Sequence, residues 1–194
     1  MIVAVTGGIG SGKSFVIQEF SKFPNVVVYI ADEEAKKLMT SSNDIRKKMI
    51  QAFGAEAYVK NELNREFIAS IVFNDEQKLK EINAIVHPEV FKHFFEFTKL
   101  HKGKMILYES ALVFETGYAK HFDYVITVTA PIHTRIERLI ERDKTTQEHL
   151  IQRMSKQWKE DKKILQSHYI ISNQHIEETK TQIKRIFNIL TEKS

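Results

Sequence analysis

The sequence predicts an α/β fold in which about five parallel strands are flanked by helices. Short apolar runs that are rich in β-branched residues are typical of strands buried on both faces. Segments with a helical spacing of apolar residues separate these runs, and such alternation favours a parallel sheet. The predicted strands are 2–5, 25–30, 105–109, 124–130 and 168–172, of which the last has the weakest pattern.

The helices are predicted from apolar residues that recur three or four positions apart. The first covers 15–23, and Pro24 ends it. The last covers 175–190, where Ile183, Ile186, Phe187 and Leu190 form one apolar stripe. Further helical patterns cover 43–53, 65–73 and 87–100.

The spacing of the strands predicts two helical insertions. About 75 residues separate the second strand from the third, whereas a crossover between parallel strands needs only about a dozen. We therefore expect 32–103 to form a separate helical domain and 138–167 to form a helical lid. The remaining segments, which form the predicted core, are 1–31, 104–137 and 168–194.

Composition and charge exclude several classes of protein. The 194 residues, 42% of them hydrophobic, suffice for one sizeable core, and the lack of cysteine excludes disulfides and thiolate metal sites. No apolar run approaches the roughly 18 residues of a membrane span, so we expect a cytoplasmic protein without a membrane partner. The net charge of +4 lies mostly in 142–163. This distribution predicts no nucleic-acid partner.

A glycine-rich stretch follows the first strand and carries the clearest chemistry. Gly7-x-x-x-x-Gly12-Lys13-Ser14 matches the phosphate-binding loop G-x-x-x-x-G-K-[ST]. Bare backbone lets N–H groups approach phosphate oxygens, and the next helix presents its positive N-terminus. Lys13, expected to be exposed, would reach the β- and γ-phosphates, and the Ser14 hydroxyl would hold Mg²⁺. The predicted ATP-binding residues are Gly8, Ile9, Gly10, Ser11, Gly12, Lys13, Ser14 and Phe15.

The class of phosphate-loop protein follows from what accompanies the loop. The sequence contains neither the D-x-x-G nor the N-K-x-D pattern of GTPases. A short chain with a helical insertion and an arginine-rich helical segment favours a small-molecule kinase. Such a segment can form a lid, and a lid prevents the hydrolysis of ATP by water. A nucleic-acid-binding ATPase and a degenerate kinase that serves as an interaction module are the alternatives from other classes.

Motifs in a fixed order then identify a family resemblance. The sequence "TGGIGSGKS", together with four later segments and several single residues, resembles the dephospho-CoA kinase family over nearly the whole chain. The segments are "ADEEAKKL" (31–38), "LNREFIASIVFND" (63–75), "LKEINAIVHPEV" (79–90) and "ILYESALVFE" (106–115). The single residues are Arg138, Arg142, Arg153, Gln157 and Asn173.

This resemblance implies an ATP-dependent phosphorylation of the ribose 3′-hydroxyl of dephospho-CoA, which gives coenzyme A and ADP. It implies a phosphate-loop kinase core, a helical acceptor domain, a lid, and ATP and dephospho-CoA as small-molecule partners of a monomer or weak homo-oligomer. Another phosphate-loop nucleoside or nucleotide kinase is the alternative. The chain departs from the family pattern at Ile30, Glu109 and Ala111, where the family has Asp, Asp and Pro.

The resemblance also implies roles on the acceptor side. Asp32 is expected to bind the acceptor and to take the proton of its hydroxyl group; its alternative role is an N-cap. Arg65 and His87 are expected to contact acceptor phosphate or ribose. Their alternatives are a surface ion pair and a helix start before Pro88. Glu109 is expected near the substrate and Mg²⁺, and its alternative is a solvated strand end.

On the nucleotide side, Arg138 and Arg142 are expected to be catalytic. They lie four residues apart on one helix face and suit the charge that develops on the γ-phosphate. A solvated helix with Glu137 and Glu141 is the alternative. Asn173 is expected to bind adenine with its amide, with a turn as the alternative.

Overall fold

The computed structural model describes residues 1–72 and 75–193. Phe73 and Asn74, which belong to the motif over 63–75, and Ser194 lie outside the described residues. The chain forms two compact units, one made of Met1–Tyr29 and Gly103–Ser194, and the other of Ile30–Lys102. The segment 138–167, expected to be a lid, belongs to the first unit.

The first unit contains a five-stranded parallel sheet, as predicted. The strands are β1 (Ile2–Thr6), β2 (Val26–Ile30), β5 (Met105–Glu109), β6 (Tyr124–Thr129) and β7 (Tyr169–Ser172). Their order across the sheet is β2-β5-β1-β6-β7. The segment with the weakest pattern forms β7, one of the two edge strands, which needs fewer apolar residues because it has only one neighbouring strand.

The register of the sheet brings the ends of two strands together. Strand β1 is central and pairs with β5 through Val5 and Glu109, and with β6 through Thr6 and Thr127. The carboxyl ends of β1 and β5 therefore lie side by side, and ligands of open parallel sheets bind at this edge. The glycine-rich stretch leaves β1 there.

Helices α1 (Lys13–Phe20) and α9 (Ile176–Glu192) pack against each other in the first unit. Their buried residues Val16, Phe20, Ile183 and Leu190 belong to the core cluster of the sheet. Helix α1 begins two residues earlier and ends three residues earlier than predicted, since the loop leads directly into its first turn. The other helices of this unit are α6 (Ile132–Asp143), α7 (Gln147–Ser155) and α8 (Glu160–Leu165).

The second unit is mainly helical. Helices α2 (Ala31–Ser41), α3 (Asn43–Phe53) and α4 (Arg65–Val72) each pack on the long helix α5 (Glu76–Leu100). A small antiparallel hairpin, β3 (Tyr58–Val59) with β4 (Glu62–Leu63), was not predicted from the sequence. Strands of two residues carry no periodic pattern, so only their mutual pairing defines them.

Helix α5 corrects one sequence expectation. We expected a helix to start at His87, immediately before Pro88, but Pro88 lies inside a 25-residue helix that begins at Glu76. Asp75 provides the true start, because its Oδ1 accepts hydrogen bonds from the N–H groups of Gln77 and Lys78. None of the helices within 1–72 and 75–193 is long and apolar enough to cross a bilayer.

Candidate active site

The glycine-rich loop lies between β1 and α1 and is packed so closely that side chains would not fit. Gly12 has φ +88°, and a Cβ there would lie 1.9 Å from Asn173 Nδ2. A Cβ on Gly8 would lie 2.2 Å from the guanidinium of Arg135. Positive φ at Gly12 and close contact at both positions explain why the sequence uses glycine.

Lys13 begins α1 and folds back against the loop. Its Nζ donates to Gly7 O at 3.1 Å and lies 3.9 Å from Glu109 Oε1. The expectation of an exposed lysine was wrong, since only 11% of its side chain is exposed. The pairing of β1 with β5 explains this arrangement, because it brings Glu109 beside the end of β1. An ammonium group is thus positioned among loop carbonyls and one carboxylate.

The first turn of α1 has the features of an anion site. It begins Lys13, Ser14, Phe15 and lacks an acidic residue, so its N–H groups and the helix dipole favour a negative ligand. Ser14 is exposed, whereas Phe15 packs partly against the core cluster. The Ser14 hydroxyl is therefore accessible, and Phe15 contributes its backbone rather than its ring.

Asn173 supports the loop from the end of β7. It is 5% exposed, its Nδ2 donates to Ser11 O at 2.8 Å, and its Oδ1 accepts from Thr179 Oγ1 at 3.2 Å. Both atoms of the amide are therefore engaged with the protein. The contacts of Asn173 stabilise the loop, and adenine recognition by this amide stays a prediction.

Arg138 binds the backbone of Asn173 and places a second nitrogen near Gly12. Its Nη2 donates to Asn173 O at 3.0 Å, while Nη1 lies 3.6 Å from the place of a Cβ on Gly12. Three buried polar atoms around the loop, Thr6 Oγ1, Ser11 Oγ and Arg138 Nη1, find no hydrogen-bond partner in the part of the chain that the structure describes. Buried donors of this kind call for a ligand, and a phosphate fits the guanidinium nitrogen.

Arg142 has different surroundings from Arg138. It is largely exposed, and its Nε and Nη2 donate to Asp143 at 2.6 and 3.1 Å. Arg153 Nη1 donates to the same carboxylate at 2.7 Å. Hydrogen bonds from Arg142 and then Arg153 lower the pKa of Asp143 to about 2. In this structure Arg142 belongs to an ion cluster with Asp143 and Arg153, and its catalytic role stays a prediction.

Sequence reasoning missed Arg135, which the structure places directly against the loop. Its Nε donates to Ile9 O at 2.9 Å, and its Nη1 lies 3.6 Å from Glu160 Oε2. Gln157 Oε1 accepts from the N–H of Ile9 at 2.9 Å. A signal was present, because Arg135 interrupts the apolar stripe formed on α6 by Ile132, Ile136 and Leu139. A charged residue at a core position of an amphipathic helix indicates a specific partner.

Lys163, the last residue of the basic segment 142–163, does not lie at the surface. Lys163 is fully buried, and its Nζ lies 2.8 Å from Glu115 Oε1 and donates to Ala111 O at 2.6 Å. Glu115 Oε1 also accepts from the N–H of Trp158 at 2.9 Å. Glu115 thus anchors the segment that follows α7.

A cavity of about 580 Å³ lies next to the loop in the same unit. Its lining includes Gly8, Arg135 and Glu160, together with apolar side chains of α6, α7 and Trp158. Glu160 is half-buried, and its burial raises the pKa of its carboxyl group.

The second unit contains the residues expected on the acceptor side. Asp32 is exposed and is the second residue of α2, whose N-cap is Ile30, so Asp32 does not occupy the N-cap position. His87 is part-buried in α5, and burial lowers its pKa although the charge of Asp32 raises it. Arg65 is the exposed first residue of α4. The side chains of Asp32 and His87 thus interact electrostatically within this unit.

Comparisons of the sequence with known proteins point to one family. Residues 1–178 match the family model described as Dephospho-CoA kinase. The dephospho-CoA kinase of Bacteroides fragilis is 35% identical over 173 residues, which cover 88% of this chain and 83% of the relative. That of Salinibacter ruber is 36% identical over 176 residues, with 88% and 87% covered.

A solved structure has the same fold. A crystal structure of a Thermus thermophilus protein superposes with a TM-score of 0.85 at 27% identity. The match covers 100% of this chain and 98% of that one. The family model covers most of the chain, and the relatives exceed 30% identity over most of their own length. The chain therefore belongs to the dephospho-CoA kinase family.

Proposed function

We propose that this chain transfers the γ-phosphoryl group of ATP to the ribose 3′-hydroxyl of dephospho-CoA and releases coenzyme A and ADP, the last step of coenzyme A synthesis. The buried Nη1 of Arg138 beside Gly12 carries the proposal, because its position calls for an anion within the glycine loop. Membership of the family supplies the identity of the acceptor.

Residues of the first unit would bind and polarise the triphosphate. The backbone N–H groups between Gly8 and Phe15, apart from those of Ile9 and Ser11, which already donate within the protein, would surround the phosphates. Lys13 and Arg138 would offset the charge that develops on the γ-phosphoryl group. Phosphoryl transfer requires mainly such positioning and charge stabilisation. Because Lys13 is held by Gly7 O and Glu109, its ammonium group is oriented before ATP arrives.

Ser14 is the residue that would hold Mg²⁺, with Glu109 acting through water. The fit rests on the exposed hydroxyl at the start of α1 and on the carboxylate at the end of β5. When bound, Mg²⁺ neutralises charge on the phosphate oxygens. Few protein ligands suffice, because Mg²⁺ keeps several waters and takes phosphate oxygens as ligands.

Residues of the second unit would bind dephospho-CoA. Asp32 follows β2 by two residues and would accept the proton of the 3′-hydroxyl. Its exposure and its position inside α2, rather than at the cap, support this role. Arg65 and His87 would contact the phosphate or ribose of the acceptor. A neutral His87, favoured by burial, is suited to a hydrogen bond rather than to charge pairing.

The segment 138–167 would act as the lid of the site. To contact a phosphate oxygen, Arg142 would have to break its two hydrogen bonds to Asp143.

We further propose a cytoplasmic enzyme that is a monomer or a weak homo-oligomer. Light scattering at several protein concentrations measures the oligomeric state.

One assay tests the proposed reaction against its alternative. ADP release is measured with ATP and Mg²⁺, first without an acceptor and then with dephospho-CoA, adenosine, cytidine monophosphate or shikimate. We expect release that depends on dephospho-CoA, and phosphate at the 3′ position of the product by mass spectrometry. Equal or faster turnover with a nucleoside or nucleotide would support the alternative kinase.

A further inference from the structure

The outer turn of the glycine loop is held by side chains that lie far away in the sequence. The N–H of Ile9 donates to Gln157, and the C=O of Ile9 accepts from Arg135, both at 2.9 Å. Within the turn itself, Ser11 N–H donates to Gly8 O at 3.1 Å. Both backbone groups of Ile9 are thus bound by residues of the segment between β6 and β7.

The arginine that binds Ile9 is itself fixed in place. Arg135 is 6% exposed, and Glu160 Oε2 lies 3.6 Å from its Nη1. Burial lowers the pKa of Arg135 and raises that of Glu160, so desolvation opposes the attraction within this pair. A buried pair of this kind adds little net stability, and its main effect is to fix the direction of the guanidinium.

The guanidinium also restricts the path of the loop sterically. It lies so close to Gly8 that a Cβ there would be 2.2 Å from its Nη2. Gly8, Gly10 and Gly12 give the loop large conformational freedom. Donors that bind a transition-state charge are effective only when they are held in place beforehand. Contacts from outside the loop are therefore needed to select one conformation.

We infer that Arg135 and Gln157 are positioning residues, which hold Ile9 so that the loop presents its N–H groups to the phosphates of ATP. This inference rests on the proposed ATP-dependent function. Neither side chain needs to touch the nucleotide, because both act through the Ile9 backbone. The readout that distinguishes positioning from a merely structural role is the affinity for ATP, measured apart from stability.

The test compares two pairs of proteins by calorimetric titration with ATP and Mg²⁺ in the absence of acceptor. In the first comparison, the double variant Glu160→Gln with Arg135→Met is compared with the single variant Glu160→Gln. The Glu160→Gln change is present in both, so that loss of Arg135 leaves no buried carboxylate unpaired. Gln157→Leu is compared with the unsubstituted protein. We expect Kd for ATP to rise about tenfold in each comparison, the effect of one lost hydrogen bond. Arg135→Lys should recover part of the affinity for ATP that Arg135→Met loses. Arg185→Met, an exposed change on α9, is the control and should have no effect.

Steady-state kinetics add a second readout. KM for ATP should rise in the same variants, while KM for dephospho-CoA stays within about twofold of the unsubstituted value. Lower thermal stability with unchanged Kd for ATP would overturn the inference and leave a structural role. If the Arg135 variant does not fold, Gln157→Leu decides alone. An unsubstituted protein that does not bind ATP would overturn the proposed function itself.

Discussion

The ammonium group of Lys163 lies 2.8 Å from Glu115 Oε1, and 1% of its side chain is exposed. The lysine belongs to α8, and the glutamate lies between β5 and β6. Lys163 also donates to Ala111 O, and Glu115 also accepts from Trp158 N–H. This buried pair joins the C-terminal end of the basic segment to the sheet unit. A lysine of the basic segment 142–163 is therefore buried in the structure.

Loss of the Lys163 side chain alone should destabilise the protein more than loss of both the Lys163 and the Glu115 side chains. Lys163→Met leaves a buried carboxylate unpaired, and we expect it to lower the free energy of unfolding by about 3–5 kcal/mol. The double variant with Glu115→Leu should recover much of this loss. Urea unfolding measures both, with the exposed Lys184→Met as the matched control. Equal losses in the single and double variants would contradict the prediction.

Lys13→Met should reduce kcat by about 10²–10³ because a charge directed at the phosphates is lost. The structure adds a stability effect, since Lys13 bonds Gly7 O and lies near Glu109. We expect a loss of about 1–2 kcal/mol in the free energy of unfolding. Coupled ADP release and urea unfolding provide the two measurements. A near-native rate at saturating ATP would remove Lys13 from the proposed mechanism.

Asp32→Asn should reduce kcat by about 10²–10⁴, because the amide cannot accept a proton. Asp32 is exposed and does not cap α2, so we expect the unfolding midpoint and the Kd for ATP to stay unchanged. The rate is measured with saturating dephospho-CoA and ATP, and Glu33→Gln on the same helix turn is the control. A rate within a few-fold of the unsubstituted enzyme would mean that the base lies elsewhere.

His87 should make the protein less stable in mild acid. Burial lowers its folded-state pKa below the ordinary value of 6.5, so the unfolded chain binds the proton more readily than the folded chain. Its contribution to stability is therefore complete above pH 6.5 and decreases as the pH falls through the folded-state pKa. Urea unfolding at pH 5 and pH 7.5 should show this difference.

His87→Gln should remove that part of the pH dependence, whereas His133→Gln, an exposed change on α6, should not. Because the Asp32 charge raises the pKa of His87, Asp32→Asn should lower it further. An NMR titration of the imidazole measures both values. A His87 pKa at or above 6.5, or one that Asp32→Asn leaves unchanged, would contradict this account.

Helix α7 should become better protected when substrates bind. The segment 142–163 carries few buried side chains before α8, but Gln157, Glu160 and Lys163 attach its C-terminal part to the first unit. Amide exchange should therefore slow mainly in Gln147–Ser155 when an ATP analogue and dephospho-CoA are added. Unchanged exchange at saturation would exclude 138–167 as the lid.

The strands and the phosphate-binding loop could be predicted because their signals are local. An apolar run of four to seven residues or a fixed glycine spacing depends on neighbours in the chain, and the sheet confirms all five predicted strands. The predicted start of α5 was wrong because Pro88 dominated the local pattern, whereas the helix is capped by Asp75 and begins at Glu76, and α2, α3 and α4 pack on it. At such a residue, tertiary contacts outweigh the low helix propensity of proline.

The sequence by itself determined the fold class, the family and the loop that binds phosphate, since each depends on residue types at fixed spacings. Only the tertiary structure decided which charged side chains support that loop. Arg135 and Arg142 are both arginines of α6, yet one binds Ile9 O in a buried position and the other binds Asp143 near the surface. The difference arises because the partner of Arg135 lies 126 residues away in the chain, whereas the partner of Arg142 is its immediate neighbour. No local pattern records the distant partner or the burial that it brings.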